Sequence, residues 1–151
     1  MKSTAARQEF SIRAAGMPDR SAVERLLAAS KLPTAGVSDA LDGFLVAERE
    51  GSVIGTIGIE RYGDYGLLRS AAVDTAWQGK GIGRALVEKL LSSARAAGLR
   101  GVYLLTTTAE GYFPAFGFRR VERESVPMEV RESVEFAEAC PASAAVLYMD
   151  L

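Results

Sequence analysis

The chain has 151 residues, a net charge of −1 and no histidine, with 48% hydrophobic and 25% charged residues. This length suits one domain, 1–151, with a real hydrophobic core, and the near-neutral charge predicts neither nucleic-acid nor membrane binding. Because the chain has no histidine, a histidine base or metal ligand is excluded. We also find no cluster of residues with the spacing of metal ligands.

Compartment and termini follow from a few further features. A single cysteine, Cys140, cannot form an internal disulfide, which favours a reducing cytoplasm. No apolar run approaches the roughly 18 residues of a membrane span, and residues 1–10 lack the apolar core of a signal peptide. Residues 1–8 are polar, and we expect them to be disordered.

The first third of the chain predicts a strand, a helix and a connection. Residues 10–13 alternate in polarity, as a strand does. A helix is expected to begin near Pro18, with a buried stripe of Val23, Leu26, Leu27 and Ser30. Residues 31–42 contain Pro33 and Gly36 and predict a loop with one or two helical turns.

Three strands are predicted next, over 44–48, 53–61 and 65–73. Gly63-Asp64 suits a type II′ turn between the second and third of them, which sets Glu60 opposite Leu67. One face then carries Thr56, Gly58, Glu60, Leu67, Arg69 and Ala71. The other carries Ile57, Ile59, Leu68, Ser70 and Ala72. This register predicts that Glu60 and Arg69 lie on one face.

A glycine-rich stretch, Trp77 to Ala85, follows the apolar strand and opens a long helical pattern. Glycines at 79, 81 and 83 let the backbone turn tightly and approach a ligand closely. The first-turn amides of a helix lack partners within the helix and carry partial positive charge. Strand, glycine loop and helix start together predict a phosphate or pyrophosphate site, to which Lys80 and Arg84 add charge.

The second half of the chain alternates helix and strand. Ile82, Leu86, Leu90 and Ala94, widened by Val87 and Leu91, form the buried stripe of a helix that ends at Gly98. Residues 101–106 predict a strand parallel to the 65–73 strand, because a helical crossover joins them. The remaining predicted elements are a helix over 109–116 with Pro114 inside it, a strand over 118–121, a helix over 128–139 stopped by Cys140-Pro141, and a strand over 144–149. The domain is therefore α/β or α+β with a mixed sheet.

Gln78-x-x-Gly81-x-Gly83 with Ala85 resembles the Q/R-x-x-G-x-G/A signature of the GNAT acetyltransferases, and Gly117-Phe118 resembles that family's later GF pair. The resemblance covers most of the chain. It implies a mostly antiparallel sheet of about seven strands flanked by helices, in which two splayed parallel strands hold acetyl-CoA. It also implies an enzyme that transfers acetyl directly from acetyl-CoA to an amine in a ternary complex.

The resemblance assigns the cofactor residues. The end of the fourth strand helps to hold the thioester in that family, which here corresponds to Ala72, Val73 and Asp74. The pyrophosphate would be held by the loop residues Gln78, Gly79, Lys80, Gly81, Ile82, Gly83 and Arg84. Phe113 is expected to pack against the pantetheine arm.

The catalytic residues depart from the family pattern. Several members have a glutamate where this chain has Leu67, and the hairpin register sets Glu60 opposite, so we predict Glu60 as the base, acting directly or through water. The alternative is a solvated glutamate, or one paired with Arg61 or Arg69. Phe113 replaces the family's tyrosine acid; its neighbour Tyr112 is a candidate acid, and the alternatives are a structural tyrosine and water.

The predicted acceptor residues are Arg69, Ser70, Thr106, Thr107 and Thr108. A guanidinium binds a carboxylate in bidentate fashion, so Arg69, with the backbone of Ser70, is expected to hold the α-carboxylate of an amino-acid-like acceptor. The open alternative is a structural salt bridge from Arg69 to Glu60. The threonine hydroxyls face either acceptor or cofactor, and Thr108 is also a candidate helix N-cap.

Three further segments resemble one GNAT subgroup: 67–70, 104–113 and 140–144. It is the subgroup of small N-acetyltransferases associated with arsenic-resistance operons, related to amino-acid N-acetyltransferases. It implies an amino-acid-like acceptor, such as an arsenical or phosphinate analogue of glutamate, and a homodimer is expected for the family. The alternative functions are a peptide or protein N-acetyltransferase and a non-catalytic acyl-CoA sensor.

Overall fold

The computed structural model describes residues 10–107, 109–133, 136 and 144–151. Its strands are β1 (Ser11–Ala14), β2 (Phe44–Arg49), β3 (Ser52–Tyr62), β4 (Tyr65–Val73), β5 (Gly101–Thr106), β6 (Arg119–Arg120) and β7 (Ala145–Asp150). Its α-helices are α1 (Arg20–Ala29), α2 (Val37–Ala40), α3 (Ile82–Ala96) and α4 (Met128–Arg131). Within the described ranges, every helix is too short or too polar to span a lipid bilayer.

The seven strands form one sheet in the order β1-β2-β3-β4-β5-β7-β6. β4 and β5 run parallel and pair from Tyr65–Gly101 to Leu68–Leu104, as the helical crossover between them predicts. The pairs β1–β2, β2–β3, β5–β7 and β6–β7 are antiparallel. The predicted mixed, mostly antiparallel sheet of about seven strands is confirmed.

The chain divides into two compact units. Unit 1 comprises residues 1–58 and 70–90. Its core joins α1 and α2 to the sheet through Val23, Leu26, Leu27, Val37, Leu41, Phe44, Val46 and Ala72. The ring of Phe44 lies over Gly58, where an added Cβ would come within 2.5 Å of it. Only glycine therefore fits at position 58 with this phenylalanine in place.

Unit 2 comprises residues 59–69 and 91–151. Its core covers the sheet with Leu67, Tyr103, Val126, Val130, Phe136 and Val146. Tyr65, Tyr103 and Tyr148 meet edge-on or tilted at the margin of this cluster, with centroids 4.6–6.3 Å apart. Aromatic packing therefore joins three adjacent strands of this unit.

Helix α3 matches its predicted periodicity. The six predicted stripe residues are all buried: Ile82, Leu86, Val87, Leu90, Leu91 and Ala94. Gly98 follows the helix with φ +83° and donates its amide to the Arg95 carbonyl at 3.0 Å. The predicted glycine C-cap is confirmed, because this left-handed conformation suits glycine.

Several predicted elements differ from the structure. Ser30 is exposed rather than part of the α1 stripe, since α1 ends at Ala29. The helix expected over 109–116 is only a 3-10 turn, Phe113–Phe116, with Pro114 in its first turn. The late helix is described as α4 followed by a turn; Val134, Ala137 and Cys140-Pro141 lie outside the described residues.

Ser70 interrupts the side-chain alternation of β4. It has φ +62° in the middle of the strand, a conformation that is uncommon for a residue other than glycine. Ala72 consequently joins Phe44 and Val46 in the unit 1 core, on the face that Gly58 shares. The prediction that Ala71 shares this face and Ala72 the opposite one was wrong, because regular alternation fails past Ser70.

Candidate active site

The segment after β4 is fixed by hydrogen bonds within unit 1. The Asp74 amide donates to the Ile54 carbonyl at 2.8 Å, and the Asp74 carboxylate accepts from the Ala76 amide at 2.9 Å. Gln78 reaches back and donates its side-chain amide to the Val73 carbonyl at 3.1 Å. The Gln78 of the motif therefore ties the start of the loop to the end of β4.

The glycine loop, which we define as Gln78–Arg84, has a backbone that suits an anion. Gly79 and Gly81 have φ of +78° and +86°, and an added Cβ at either position meets no atom within 4 Å. Gly81 accepts the Ala85 amide at 3.1 Å as α3 begins at Ile82. Two left-handed glycines thus lead into the positive end of a 15-residue helix, with open space above both.

The charged side chains of the loop differ in availability. Lys80 is exposed. Arg84 pairs with Glu88 one turn along α3, at 3.2 Å between Nε and Oε2. Arg49 lies over the Trp77 ring at 4.9 Å, so Trp77 packs beside a cation before the loop. The residues present fit a pyrophosphate through backbone amides first and through exposed lysine charge second.

Glu60 and Arg69 meet inside unit 2. The Arg69 Nη1 donates to Glu60 Oε2 at 2.9 Å, and the two side chains are 0% and 12% exposed. The predicted common face of these residues is confirmed, and so is their ion pair. The Arg69 guanidinium is fully buried, and Glu60 supplies a carboxylate partner for its charge.

Tyr62 and Ser133 complete this arrangement, and the sequence analysis missed both. The Tyr62 hydroxyl donates to Glu60 Oε1 at 2.5 Å, and the Ser133 side chain lies near Tyr62. Burial and the Glu60 carboxylate raise the pKa of Tyr62 to about 12, so the phenol stays protonated at neutral pH. We call Glu60, Tyr62, Arg69 and Ser133 the Glu60 cluster.

The sequence contained a signal for only one of the two missed residues. Tyr62 lies two positions after Glu60 in a strand, so the same alternation that linked Glu60 to Arg69 sets Tyr62 beside Glu60. Ser133 comes from the turn after α4 and is only 4% exposed. No local pattern links that turn to β3.

The other predicted site residues have separate surroundings. Tyr112 is 44% exposed and contacts the rings of Phe113 and Phe116. Phe113 is buried and meets Phe118 edge-on at 5.6 Å. Ser70 is buried beside Arg69 in the chain. The acid role of Tyr112 and the pantetheine contact of Phe113 stay predictions.

Of the three predicted threonines, Thr106, the last residue of β5, has a defined structural role. Thr106 Oγ1 accepts the Ala109 amide at 2.8 Å, which is a cap of the following turn. Thr107 is exposed, and Thr108, the predicted N-cap, lies outside the described residues. In those residues no group of three or more Cys, Asp or Glu side chains is arranged to hold a metal ion.

Comparison with known proteins identifies the family. Residues 40–120 match the family model described as acetyltransferase (GNAT) domain. The chain is 38% identical over 106 residues to an amino-acid acetyltransferase of Mycobacterium tuberculosis, a match that covers 68% of this chain and 58% of that relative. It is 31% identical over 127 residues to CT2212, an uncharacterised N-acetyltransferase of Chlorobaculum tepidum. That match covers 79% of this chain and 81% of the relative.

Solved structures agree with the fold. The crystal structure of Rv2747 from Mycobacterium tuberculosis, in complex with CoA and NLQ, matches with a TM-score of 0.80 at 26% identity. That match covers 93% of this chain and 99% of the other. The fold expected from the Gln78 motif and the GF pair is confirmed. The chain belongs to the GNAT family of acetyltransferases.

Proposed function

We propose that this protein is an acetyl-CoA-dependent N-acetyltransferase whose acceptor is the amine of a small, amino-acid-like molecule. The observation that carries the proposal is the glycine loop, where Gly79 and Gly81 leave open space before the helix α3. A pyrophosphate bound there would accept hydrogen bonds from backbone amides and would meet no side chain. Family membership makes acetyl-CoA the ligand of choice for such a loop.

Acetyl-CoA supplies the activated acetyl group when bound. The amides of the glycine loop and exposed Lys80 would hold its pyrophosphate, and the end of β4, Ala72, Val73 and Asp74, would help to hold its thioester. Phe113 packs against its pantetheine arm. These assignments follow the family pattern; the open glycines and the exposed lysine support the first of them.

Glu60 serves as the general base in this proposal. Its side chain is 12% exposed and both oxygens accept hydrogen bonds, so the base is held in place. It would take the amine proton directly or through a water. The departing thiolate takes a proton from water or from the exposed Tyr112. A thiol has an ordinary pKa of about 8.5, so the thiolate does not demand a strong acid.

The proposed class of acceptor is supported by the names of the relatives and by the Arg69 guanidinium in unit 2. Arg69 and the backbone of Ser70 are proposed to hold the acceptor's α-carboxylate. Thr106, Thr107 and Thr108 are proposed to present their hydroxyls to the acceptor or to the cofactor. Since Arg69 already pairs with Glu60 and exposes none of its side chain, the acceptor must displace or join this pair.

The match covers only 58% of the length of the Mycobacterium amino-acid acetyltransferase. The acceptor of this chain therefore has to be tested on this chain itself, not taken from that relative.

A finer proposal follows the subgroup resemblance. The acceptor is then an arsenical or phosphinate analogue of glutamate, and the protein is a homodimer of the cytoplasm. The single cysteine suits a reducing compartment. Light scattering coupled to size exclusion tests the dimer directly, with a monomer mass refuting it.

The experiment that tests the function is thiol release from acetyl-CoA across amino acids, glutamate analogues including phosphinothricin-type and arsenical ones, and N-terminal peptides. Turnover of a carboxylate-bearing amine supports the proposal. Turnover of peptides alone refutes the small acceptor in favour of a peptide N-acetyltransferase. Acetyl-CoA binding without turnover of any acceptor refutes the enzyme and favours a sensor.

A further inference from the structure

We infer that Tyr62 is a positioning residue for the proposed base Glu60, fixing the carboxylate from the side opposite Arg69, with Ser133 orienting the Tyr62 hydroxyl. The inference rests on the proposed function, because it gives Tyr62 a part in the same reaction. Tyr62 acts through Glu60 and is not assigned any contact with acetyl-CoA or acceptor.

The first support is the division of the Glu60 oxygens. Oε2 accepts from Arg69 Nη1 at 2.9 Å, and Oε1 accepts from the Tyr62 hydroxyl at 2.5 Å. A carboxylate with a donor on each oxygen cannot rotate freely about its last bond. Its remaining lone pairs therefore keep a fixed direction, which a base needs toward the proton that it takes.

The second support is the protonation of the donor. Tyr62 is half-buried, and burial and Glu60 raise its pKa to about 12. The hydroxyl consequently keeps its proton over the whole working range of an acetyltransferase and donates it to Glu60 throughout. Among the described residues, Arg69 of β4 and Tyr62 of β3 donate to the carboxylate.

The third support is the fixed position of Tyr62 itself. Its ring packs against the unit 2 core, and Ser133 is 4% exposed. Ser133 Oγ also accepts the Phe136 amide at 3.2 Å. Ring packing therefore holds the Tyr62 hydroxyl where it donates to Glu60.

The test is a double-mutant cycle on acetyl transfer. Tyr62→Phe keeps the ring and its packing, so we expect kcat to fall about tenfold while KM for acetyl-CoA stays within about twofold. Ser133→Ala should lower kcat by a smaller factor, about threefold. In a Glu60→Gln background, Tyr62→Phe should lower the residual rate no further, because it acts through the carboxylate.

The pH profile gives a second readout. If Tyr62 acts through Glu60, loss of its donor should move the acid side of the kcat/KM profile to higher pH in Tyr62→Phe. Tyr148→Phe is the matched control. It removes a hydroxyl that donates to a carboxylate two residues away, Asp150, at 2.8 Å in the same unit, and should leave both kcat and profile unchanged.

The outcomes separate this inference from the proposed function. An active wild-type protein whose Tyr62→Phe variant keeps its kcat and pH profile overturns the inference and leaves the function standing. An equal tenfold loss in the Glu60→Gln background also overturns it, because Tyr62 would then act independently of Glu60. A wild-type protein that releases no thiol with any acceptor refutes the function and the inference together.

Discussion

The glycine loop of unit 1 and the Glu60 cluster of unit 2 are built in opposite ways. The loop offers backbone: two left-handed glycines with open space above them and the start of α3 behind them. The cluster offers side chains: a buried arginine, a carboxylate with donors on both oxygens, a tyrosine and a serine. The glycine loop lacks side chains where a ligand would bind, whereas the Glu60 cluster is formed by side chains packed around a carboxylate.

The glycine loop and the Glu60 cluster should therefore respond differently to substitution. A side chain at Gly79 or Gly81 would enter the proposed pyrophosphate space and meet no protein atom within 4 Å, but it would be strained at the positive φ of these residues. Such changes should therefore lower stability modestly and remove binding. A change in the Glu60 cluster leaves a buried polar group without its partner, so it should affect stability and chemistry together. Substitutions in the two regions are therefore expected to separate binding, stability and rate.

The largest expected effect is on cofactor binding. Gly81→Asp sets a carboxylate where the pyrophosphate would lie, and like charges at close range repel. We expect the Kd for acetyl-CoA to rise more than about 1,000-fold, measured by calorimetry. The melting temperature should fall only as far as the strain of a left-handed aspartate requires.

Gly51→Asp is the control for this substitution. Gly51 has φ +82° and no atom within 4 Å of an added Cβ, so the backbone strain is matched while no ligand is assigned there. Unchanged acetyl-CoA affinity in Gly81→Asp, or an equal loss in both variants, would contradict the loop assignment.

The next effect concerns the rate. Glu60→Gln keeps the size of the side chain but removes the base, and general base catalysis contributes about 10²-fold or more. We expect kcat to fall by about that factor with acetyl-CoA affinity unchanged, measured by thiol release and calorimetry. Glu129→Gln, an exposed glutamate of unit 2, should leave kcat unaltered. A Glu60→Gln variant with wild-type kcat would remove Glu60 from the mechanism.

Much of the fold could be predicted from the sequence because its signals are local. The stripe of α3, the glycine after it and the Gly63-Asp64 turn each depend on neighbouring residues. The left-handed Ser70 could not be predicted, since nothing in its sequence requires a positive φ. That one residue changed which alanine, Ala71 or Ala72, faces the core of unit 1.

The candidate site divides in the same way. The glycine loop was predictable because glycine spacing and helix start are adjacent in the chain. The Glu60–Arg69 pair was predictable only through the turn that sets the register of β3 and β4. Ser133 was not predictable, because a turn far along the chain meets Tyr62 through tertiary packing alone.

A third effect tests what Arg69 does for the fold. Arg69→Met retains much of the side-chain volume but leaves Glu60 buried without its cation, so we expect the free energy of unfolding to fall by about 3 kcal/mol. The measurement is urea denaturation. The double variant Glu60→Gln/Arg69→Met should lose less than Arg69→Met alone, because no charge is then left buried. Equal losses would show that packing rather than charge makes Arg69 important.

The acceptor role of Arg69 has its own signature. If its guanidinium also holds an α-carboxylate, Arg69→Ala should raise KM for the acceptor far more than KM for acetyl-CoA. Steady-state kinetics on variant protein that remains folded measures both constants. Equal changes in the two KM values would leave Arg69 with the structural ion pair alone.

The smallest effect concerns an ion pair of unit 1 that contrasts with the buried pair of unit 2. The Asp19 carboxylate accepts two bonds from Arg13, at 2.8 and 2.9 Å, and one from the Gly16 amide at 2.8 Å. These bonds, those of Arg13 foremost, lower the pKa of Asp19 to about 2. Since 43% of the Arg13 side chain is exposed, solvent screens the pair, and Asp19→Asn should lower stability by only about 1 kcal/mol at pH 7.

The stability difference between the wild type and Asp19→Asn should depend on pH, because the pKa of Asp19 is lower in the folded state. A carboxylate whose pKa is lower in the folded state stabilises the protein above its unfolded pKa of about 3.9, and this contribution is lost as the pH falls toward 2. The stability gap between the wild type and Asp19→Asn should therefore be constant from pH 7 to about 5 and close between about pH 4 and 2. Urea denaturation of both proteins across this range measures the gap. A gap that persists at pH 2 would mean that the loss in Asp19→Asn comes from packing around the start of α1, whereas closure assigns it to the charged pair.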